Sequence, residues 1–536
     1  MNLKIRIQLS AMMFLQFFIW SVWFVTMGPY LRDVLKFTPQ QIGLAYNSTG
    51  LAAMISPFFV GMVADRFFAT EKILAVLHLA GAALMFAISR ATSFEVFYPL
   101  LIGYTLCFMP TLALANTLAL KQMTDPGKQF SRVVVFGTIG WIAAGQLLGL
   151  FGARATGSPI SFQLACAASF VMGLYSLCLP HTPPKGAGQK VTARDILGLD
   201  ALQLLKEPSF ALFVIVAFLF CIPLNLYFSF APSFLGDFGV ANIPGTMTLG
   251  QVSEMFFMVV MPFFLAHLGI KWVFALGMLG WSLRYLLFYL GYGSGGMAPL
   301  YGGVAMHGIC YVFFFVLAYI YVDKKAPEAI RTKAQGFISL VTLGAGFFVG
   351  ANVSGWLVQN YSFPNAEPAK FKVIQKGAPL RAGDFVMWES GQANFGVVAG
   401  ISAGEPNASV ALYKIEESGF VATGQTNSLP VNTLAKAILW AKGDYVKWDR
   451  QGAPAYGKIS KFEASGPAAV VDVYEKQAGG FKSSGKTETV PLVALAKPIT
   501  LWGQVWLLAA ISGLVILVVF SLLFKHTEPA PPKQQS

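Results

Sequence analysis

Apolar runs of about twenty residues recur along this 536-residue chain. Each is long enough to cross a hydrocarbon core of roughly 30 Å as a helix. Lipid offers no water to backbone N–H and C=O groups, so a spanning segment must satisfy them internally. Twelve such runs are legible, at 9–30, 41–63, 73–90, 96–119, 133–153, 161–179, 209–231, 246–266, 272–292, 298–321, 334–357 and 501–524. Charged residues make up 12% of the chain, against about 25% in soluble domains. The expectation is an all-α polytopic membrane protein with membrane lipid around it. The first run is too long for a signal-peptide core and lacks a small-residue cleavage site, so it is read as retained.

The net charge of +13 is spread over many short loops. That distribution predicts membrane orientation rather than nucleic-acid binding. With the N-terminus on the cytoplasmic side, the inner segments hold 18 Lys and Arg. The short outer loops hold four: Arg32, Lys36, Arg90 and Arg154. This positive-inside bias predicts two cytoplasmic termini in a bacterial inner membrane.

The segment 181–207 is polar and carries Pro183-Pro184, and it divides the spans into six and six. A weak internal repeat supports the division. SPFFVGMVADRFFATEKILAVLHLAGAALMF in the first half parallels MPFFLAHLGIKWVFALGMLGWSLRYLLF in the second. Two such halves form a transporter architecture with its binding site between them. The expected domains are an N-terminal bundle (1–180), the inter-bundle loop (181–207) and helices seven to eleven (208–360). An insert (365–499), a twelfth helix (500–525) and a cytoplasmic tail (526–536) follow.

Polar groups inside spans narrow the functional candidates. Glu254 is the only Asp or Glu well inside a span, and Arg284 is a lone cation in the next. A carboxylate at mid-membrane costs about 3 kcal/mol on insertion scales, so it pairs or lines a cavity. Glu254 precedes His267 by 13 residues and Arg284 follows Lys271 by 13, which puts both at one depth on antiparallel helices. One reading is a permanent Glu254–Arg284 ion pair. The other turns Glu254 and Gln251 toward a central cavity, where Glu254 touches substrate or carries a proton. Asn225, Thr138 and His307 are further in-span polar groups. Trp141 and Tyr311 are aromatic neighbours suited to a flat, hydrogen-bonding solute. The five cysteines show no metal or disulfide spacing, and no cofactor is expected. No nucleophile–base pair or phosphate loop is evident, so the chain is not read as an enzyme.

Several stretches together resemble the nucleoside:proton symporters of the major facilitator superfamily. They are MNLKIRIQLSAMMFLQFFIW, FMPTLALANTLAL, FGTIGWI, LGLDALQLLK, GQVSEMFFMVVMPFFL, GIKWVFALGMLGWSLRYLLFYLG and APEAIRTKAQGF. The turn GMVADRFF is similar to the loop signature of that superfamily, with Asp65 and Arg66 as gating charges. The resemblance implies substrate contacts from Gln251 and Glu254 in span eight, Thr138 and Trp141 in span five, Asn225 in span seven and Tyr311 in span ten. It also implies proton coupling through Glu254. The chain departs from the family where Val134 replaces an Arg, Phe228 a polar residue, Val312 an acid and His307 a Tyr. Proton-driven nucleoside uptake by alternating access is the expectation. A sugar or other polar-solute porter is the alternative within the class, and a membrane receptor the alternative outside it.

The insert 365–499 differs in composition and holds a duplication. LRAGDFVMWESGQANFGVVAGI (380–401) parallels WAKGDYVKWDRQGAPAYGKISKF (440–462), and LPVNTLAKA (429–437) parallels VPLVALAKP (490–498). Alternating D-F-V-M-W-E and D-Y-V-K-W-D predict strands. Two tandem SH3- or Tudor-like β-barrels are expected, repeat one at about 376–437 and repeat two at about 438–499. Trp388 and Trp448 are expected in their cores. By the topology the insert is extracytoplasmic, where it would meet a partner. Its 15 basic residues against 12 acidic ones give no basic patch for nucleic acid.

Overall fold

The computed structural model describes residues 2–59, 68–184, 199–294 and 296–362. In the remainder it describes 374–376, 380, 382–390, 392–401, 406–437, 440, 442–450, 453–463, 467–477, 480–495 and 500–525. The chain divides into two compact units: a helical one, and a β unit that includes residues 359–501.

The helical unit runs α1 (Leu3–Asp33), α2 (Pro39–Phe59), α3 (Thr70–Ile88), α4 (Phe94–Lys121), α5 (Pro126–Leu150) and α6 (Ile160–Ser176). A 3-10 segment at Leu199–Lys206 leads to α7 (Pro208–Asp237). The next helix, Ile243–Ser294, is one hydrogen-bonded run broken at Gly269, where φ is 71° and ψ 170°. Only glycine enters that region without steric cost. The break separates α8 (243–268) from α9 (270–294) and lets the two pack antiparallel. Then come α10 (Met297–Lys325), α11 (Arg331–Asn360) and α12 (Trp502–Leu523).

Among the described residues nine helices are long and apolar enough to cross a membrane. The difference from twelve has three sources. The helix pair α8–α9 counts once, α6 has only 17 residues, and α2 carries Gln40, Gln41, Asn47, Ser48 and Thr49. The helices also overrun the apolar runs, because polar ends continue the backbone ladder past the hydrophobic stretch. Within α10, residues Tyr311–Val316 form a π-helical turn, and within α11 residues Leu340–Gly346 form another. Such turns are rare and gather at functional sites.

Helices from the two halves approach closely at one face. A Cβ on Gly50 of α2 would lie 2.4 Å from the Phe348 amide nitrogen of α11. One on Gly43 would lie 2.6 Å from the Ala351 carbonyl oxygen of α11. Gln146 of α5 donates to the Thr248 hydroxyl of α8 at 2.8 Å. Gly43, Thr248, Gln146 and Ala351 lie toward the α2 and α8 N-termini and the α5 and α11 C-termini, which alternation of helix direction places together, and Gly50 extends the α2–α11 contact to mid-helix.

In the β unit the strands are β1 (Ile374–Lys376), β2 (Phe385–Ser390), β3 (Gln392–Ile401), β4 (Asn407–Glu416), β5 (Gly419–Pro430) and β6 (Ala435–Ala437). After them come β7 (Tyr445–Arg450), β8 (Ala453–Glu463), β9 (Ala468–Gln477) and β10 (Gly480–Pro491). The second set repeats the first, strand for strand, from β2 to β5. The sheets run β1-β6-β2-β3-β4-β5 and β10-β9-β8-β7, all antiparallel, and neither closes on itself among the described residues.

The repeats are not independent. One core cluster holds Phe385, Met387 and Phe395 from the first copy with Val446, Trp448, Ile459 and Phe462 from the second. Phe462 meets Phe420 at 5.7 Å, and its amide donates to the Glu417 carbonyl at 3.1 Å. Trp448 is buried in this core and its Nε1 donates to Glu488. Trp388 is only partly buried, against the smaller cluster of Val386, Val398, Ala408, Val410 and Leu434. The equivalent tryptophans therefore sit in different surroundings, because joining the copies makes their inner faces unequal.

Candidate functional site

A cavity of about 160 Å³ lies among α1, α5, α7, α8, α10 and α11. Helix α1 contributes Phe17, Trp20 and Phe24, a single stripe at helical spacing. Helix α5 contributes Thr138 and Trp141, α7 Leu224 and Phe228, and α8 Gln251 and Glu254. From α10 come His307, Tyr311, Phe315 and Tyr319, four residues apart in succession, and from α11 Thr342, Leu343 and Phe347. Trp20 and Trp141 meet edge to face at 5.7 Å. The lining is mostly aromatic and apolar with a few polar groups, which is the usual character of a small-molecule site.

Glu254 and His307 form the polar core of this wall. Their nearest atoms, Glu254 Oε2 and His307 Nε2, are 3.8 Å apart, with side-chain exposures of 14% and 2%. That separation exceeds a hydrogen bond, so the contact is electrostatic. Close helix approach makes it possible. A Cβ on Gly308 would fall 2.4 Å from the Ser253 carbonyl carbon, and one on Gly250 would fall 3.0 Å from the His307 Cβ. Gln251 Oε1, His307 Nδ1 and the Tyr227 hydroxyl are buried with no protein partner among the described residues. An unpaired buried polar atom costs about 1–3 kcal/mol, so such atoms concentrate where a ligand or water completes them.

The Glu254–Arg284 ion pair, one of the two readings that equal depth left open, is not formed. Arg284 is fully buried, but it turns away from the carboxylate. Its Nε donates to the Gly303 carbonyl at 3.0 Å. Its guanidinium lies 3.9 Å from the Tyr227 ring centre and 4.8 Å from that of Trp281. Nη1 and Nη2 have no hydrogen-bond partner among the described residues. Two aromatic faces, each worth about 2 kcal/mol to a desolvated cation, take the place of the acid. Depth alone could not show this, since it says nothing of which way a side chain points around its helix.

Of the other expected residues, Gln251, Thr138, Trp141, Tyr311 and His307 all line the cavity. Asn225 does not. It is buried on α7, and its Nδ2 donates to the Cys221 carbonyl one turn back at 2.8 Å. Its neighbours Leu224 and Phe228 face the cavity instead. Asp65 and Arg66 lie outside the described residues. Tyr319 and Thr342 also line the cavity, although no sequence feature named above marks them. The four-residue spacing His307, Tyr311, Phe315, Tyr319 was a signal that could have identified Tyr319. At the departures from the family pattern, Phe228 lines the cavity, whereas Val312 is fully buried outside it.

A sequence model of the family described as Nucleoside H+ symporter matches residues 1–372. This chain belongs to that family. The match ends two residues before β1, so every strand of the β unit lies outside it. The chain is 42% identical over 377 residues to the putative nucleoside transporter YegT of Escherichia coli K12, covering 68% of this chain and 87% of that protein. It is 32% identical to the nucleoside permease NupG of the same organism, covering 68% and 89%. The solved structure of the nucleoside transporter NupG superposes with a TM-score of 0.62 at 31% identity, covering 68% of this chain and 93% of that one. The family is one of transporters, which sets the receptor alternative aside.

Proposed function

We propose that this protein carries a nucleoside inward together with a proton by alternating access. The observation that carries this reading is Glu254 on the wall of a cavity that Gln251 and several aromatic rings also line. The carboxylate and the unpaired Gln251 Oε1 offer acceptors to sugar hydroxyls. Trp20, Trp141 and Phe228 offer faces to a base, and base–aromatic stacking is worth about 1–3 kcal/mol. Protonation of Glu254 removes its charge and eases passage of the site through an occluded state.

The helices are read as twelve crossings in a major facilitator arrangement of six and six. Helices α8 and α9 count separately, and α2 and α6 complete the set. Both termini are assigned to the cytoplasm on the Lys/Arg asymmetry, and the β unit to the outer side. On that orientation the close contacts of α2 with α11 and of α5 with α8 lie outside, so the structure corresponds to a state sealed outwardly. The β unit, built as paired SH3- or Tudor-like repeats, is read as a docking module for an extracytoplasmic partner.

The deciding experiment is uptake of radiolabelled nucleosides into proteoliposomes holding the full chain, with and without an imposed inward proton gradient. Accumulation that needs the gradient supports the reading. Downhill equilibration indifferent to the gradient rejects proton coupling. Transport of sugars with no transport of nucleosides rejects the substrate.

A further inference from the structure

We infer that Arg284 acts on the substrate site from outside its walls, as a positioning residue for His307 through the stacked ring of Tyr227. This rests on the reading of the cavity as the substrate site and adds a residue that does not line it.

Among the described residues no hydrogen bond fixes the imidazole of His307. Its Nδ1 has no partner among the described residues, and its Nε2 is 3.8 Å from Glu254. The ring torsion of histidine is broad and roughly two-fold, so without other restraint the ring can turn over and present Cε1 in place of Nε2 to the carboxylate. Stacking supplies the restraint. Tyr227 lies 5.3 Å from His307 with 16° between planes, and Tyr311 lies 5.5 Å away with 22°. Phe228 closes the edge at 5.6 Å and 79°.

Tyr227 has the same need, since its hydroxyl has no partner among the described residues. What covers its ring is the Arg284 guanidinium, 3.9 Å from the ring centre. Arg284 is itself anchored by its Nε bond to the Gly303 carbonyl and by contact with Trp281. The order of the stack thus begins at a backbone-anchored cation and ends in the cavity at Tyr311. The ionisable groups on the cavity wall are Glu254, His307, Tyr311 and Tyr319, with no Lys or Arg among them. A planar, permanently charged group suits the far end of such a stack better than a lysine does.

The test uses the full-length protein with isotope-labelled histidine. There are five histidines, and the His307 signals are those lost in His307→Asn. Ring-current shifts from Tyr227 and Tyr311 should displace the His307 ring protons upfield. Tyr227→Phe should keep the displacement, Tyr227→Leu should lose the Tyr227 share of it, and Arg284→Met should reduce it, with Arg284→Lys in between. Nucleoside affinity supplies a second readout. Arg284→Met should weaken it about tenfold alone and less than about twofold in a Tyr227→Leu background, since residues acting through one network are non-additive. Unmoved His307 signals in Arg284→Met, or an equal loss of affinity in both backgrounds, overturn the inference. If Arg284→Met fails to fold, the two Tyr227 variants decide, and identical His307 signals in them overturn it. Absence of nucleoside binding by the unsubstituted protein counts against the substrate reading alone, because the histidine signals still decide the positioning.

Discussion

His307 Nε2 faces Glu254 Oε2 across 3.8 Å at the edge of the cavity, while the buried cation Arg284 lies over the face of Tyr227 instead. The in-span acid Glu254 thus lies against a titratable ring, and the in-span cation Arg284 against aromatic faces. A fixed ion pair would hold Glu254 in one state. A histidine neighbour and an accessible cavity leave it able to gain and lose a proton.

Glu254→Gln should abolish gradient-driven accumulation while nucleoside exchange between the two sides persists. Gln keeps the size and one acceptor but holds no proton. The measurement is uptake against counterflow in the same proteoliposomes, with a fall of about tenfold or more in the first. Wild-type accumulation in the variant would remove Glu254 from the coupling step.

Val312→Asp, which restores the acid that the family resemblance places there, should destabilise the protein rather than improve transport. Val312 is fully buried and does not line the cavity. An unpaired mid-membrane carboxylate costs about 3 kcal/mol on insertion scales. Thermal unfolding followed by size-exclusion chromatography should show a clear drop in midpoint. An unchanged midpoint would mean that the side chain reaches water or a partner.

Gly50→Leu should disfavour the conformation described, because a Cβ there already meets the α11 backbone at 2.4 Å. A backbone contact cannot yield as a flexible side chain can. A cysteine at Thr138, on the cavity wall, should then become more reactive to an impermeant maleimide added outside. Unaltered labelling would show that the α2–α11 contact does not hold the outer side shut.

Phe462→Ala should destabilise both β repeats together, by about 3–5 kcal/mol as for other buried phenylalanines. Phe462 belongs to the second copy but packs on Phe420 of the first within one core. Chemical denaturation of residues 359–501 as a separate fragment, followed by circular dichroism, should show a single transition moving as a whole. Two transitions, with only one displaced, would mean that the copies fold independently.

The apolar runs determined where the helices lie, because lipid leaves the backbone no alternative and the runs are long. The insert's duplication was legible for a similar reason: alternation in D-F-V-M-W-E and D-Y-V-K-W-D writes two strands directly. Glu254 stood out because an acid in oil is costly, and Gln251 followed one turn before it. The helix, strand and in-span acid signals are local, each read within a window of about twenty residues, and the duplication needs only a comparison of the chain with itself.

Tertiary structure decided the rest. Depth along the helix put Glu254 and Arg284 level, but rotation about the helix axis sent one to the cavity and the other to Tyr227. Asn225 and Phe228 are neighbours in sequence, yet packing turned the polar one onto its own helix and the aromatic one to the cavity. The two β repeats share one core, although each reads as complete. In every case the deciding quantity was which faces of distant segments meet, and sequence periodicity carries no record of that.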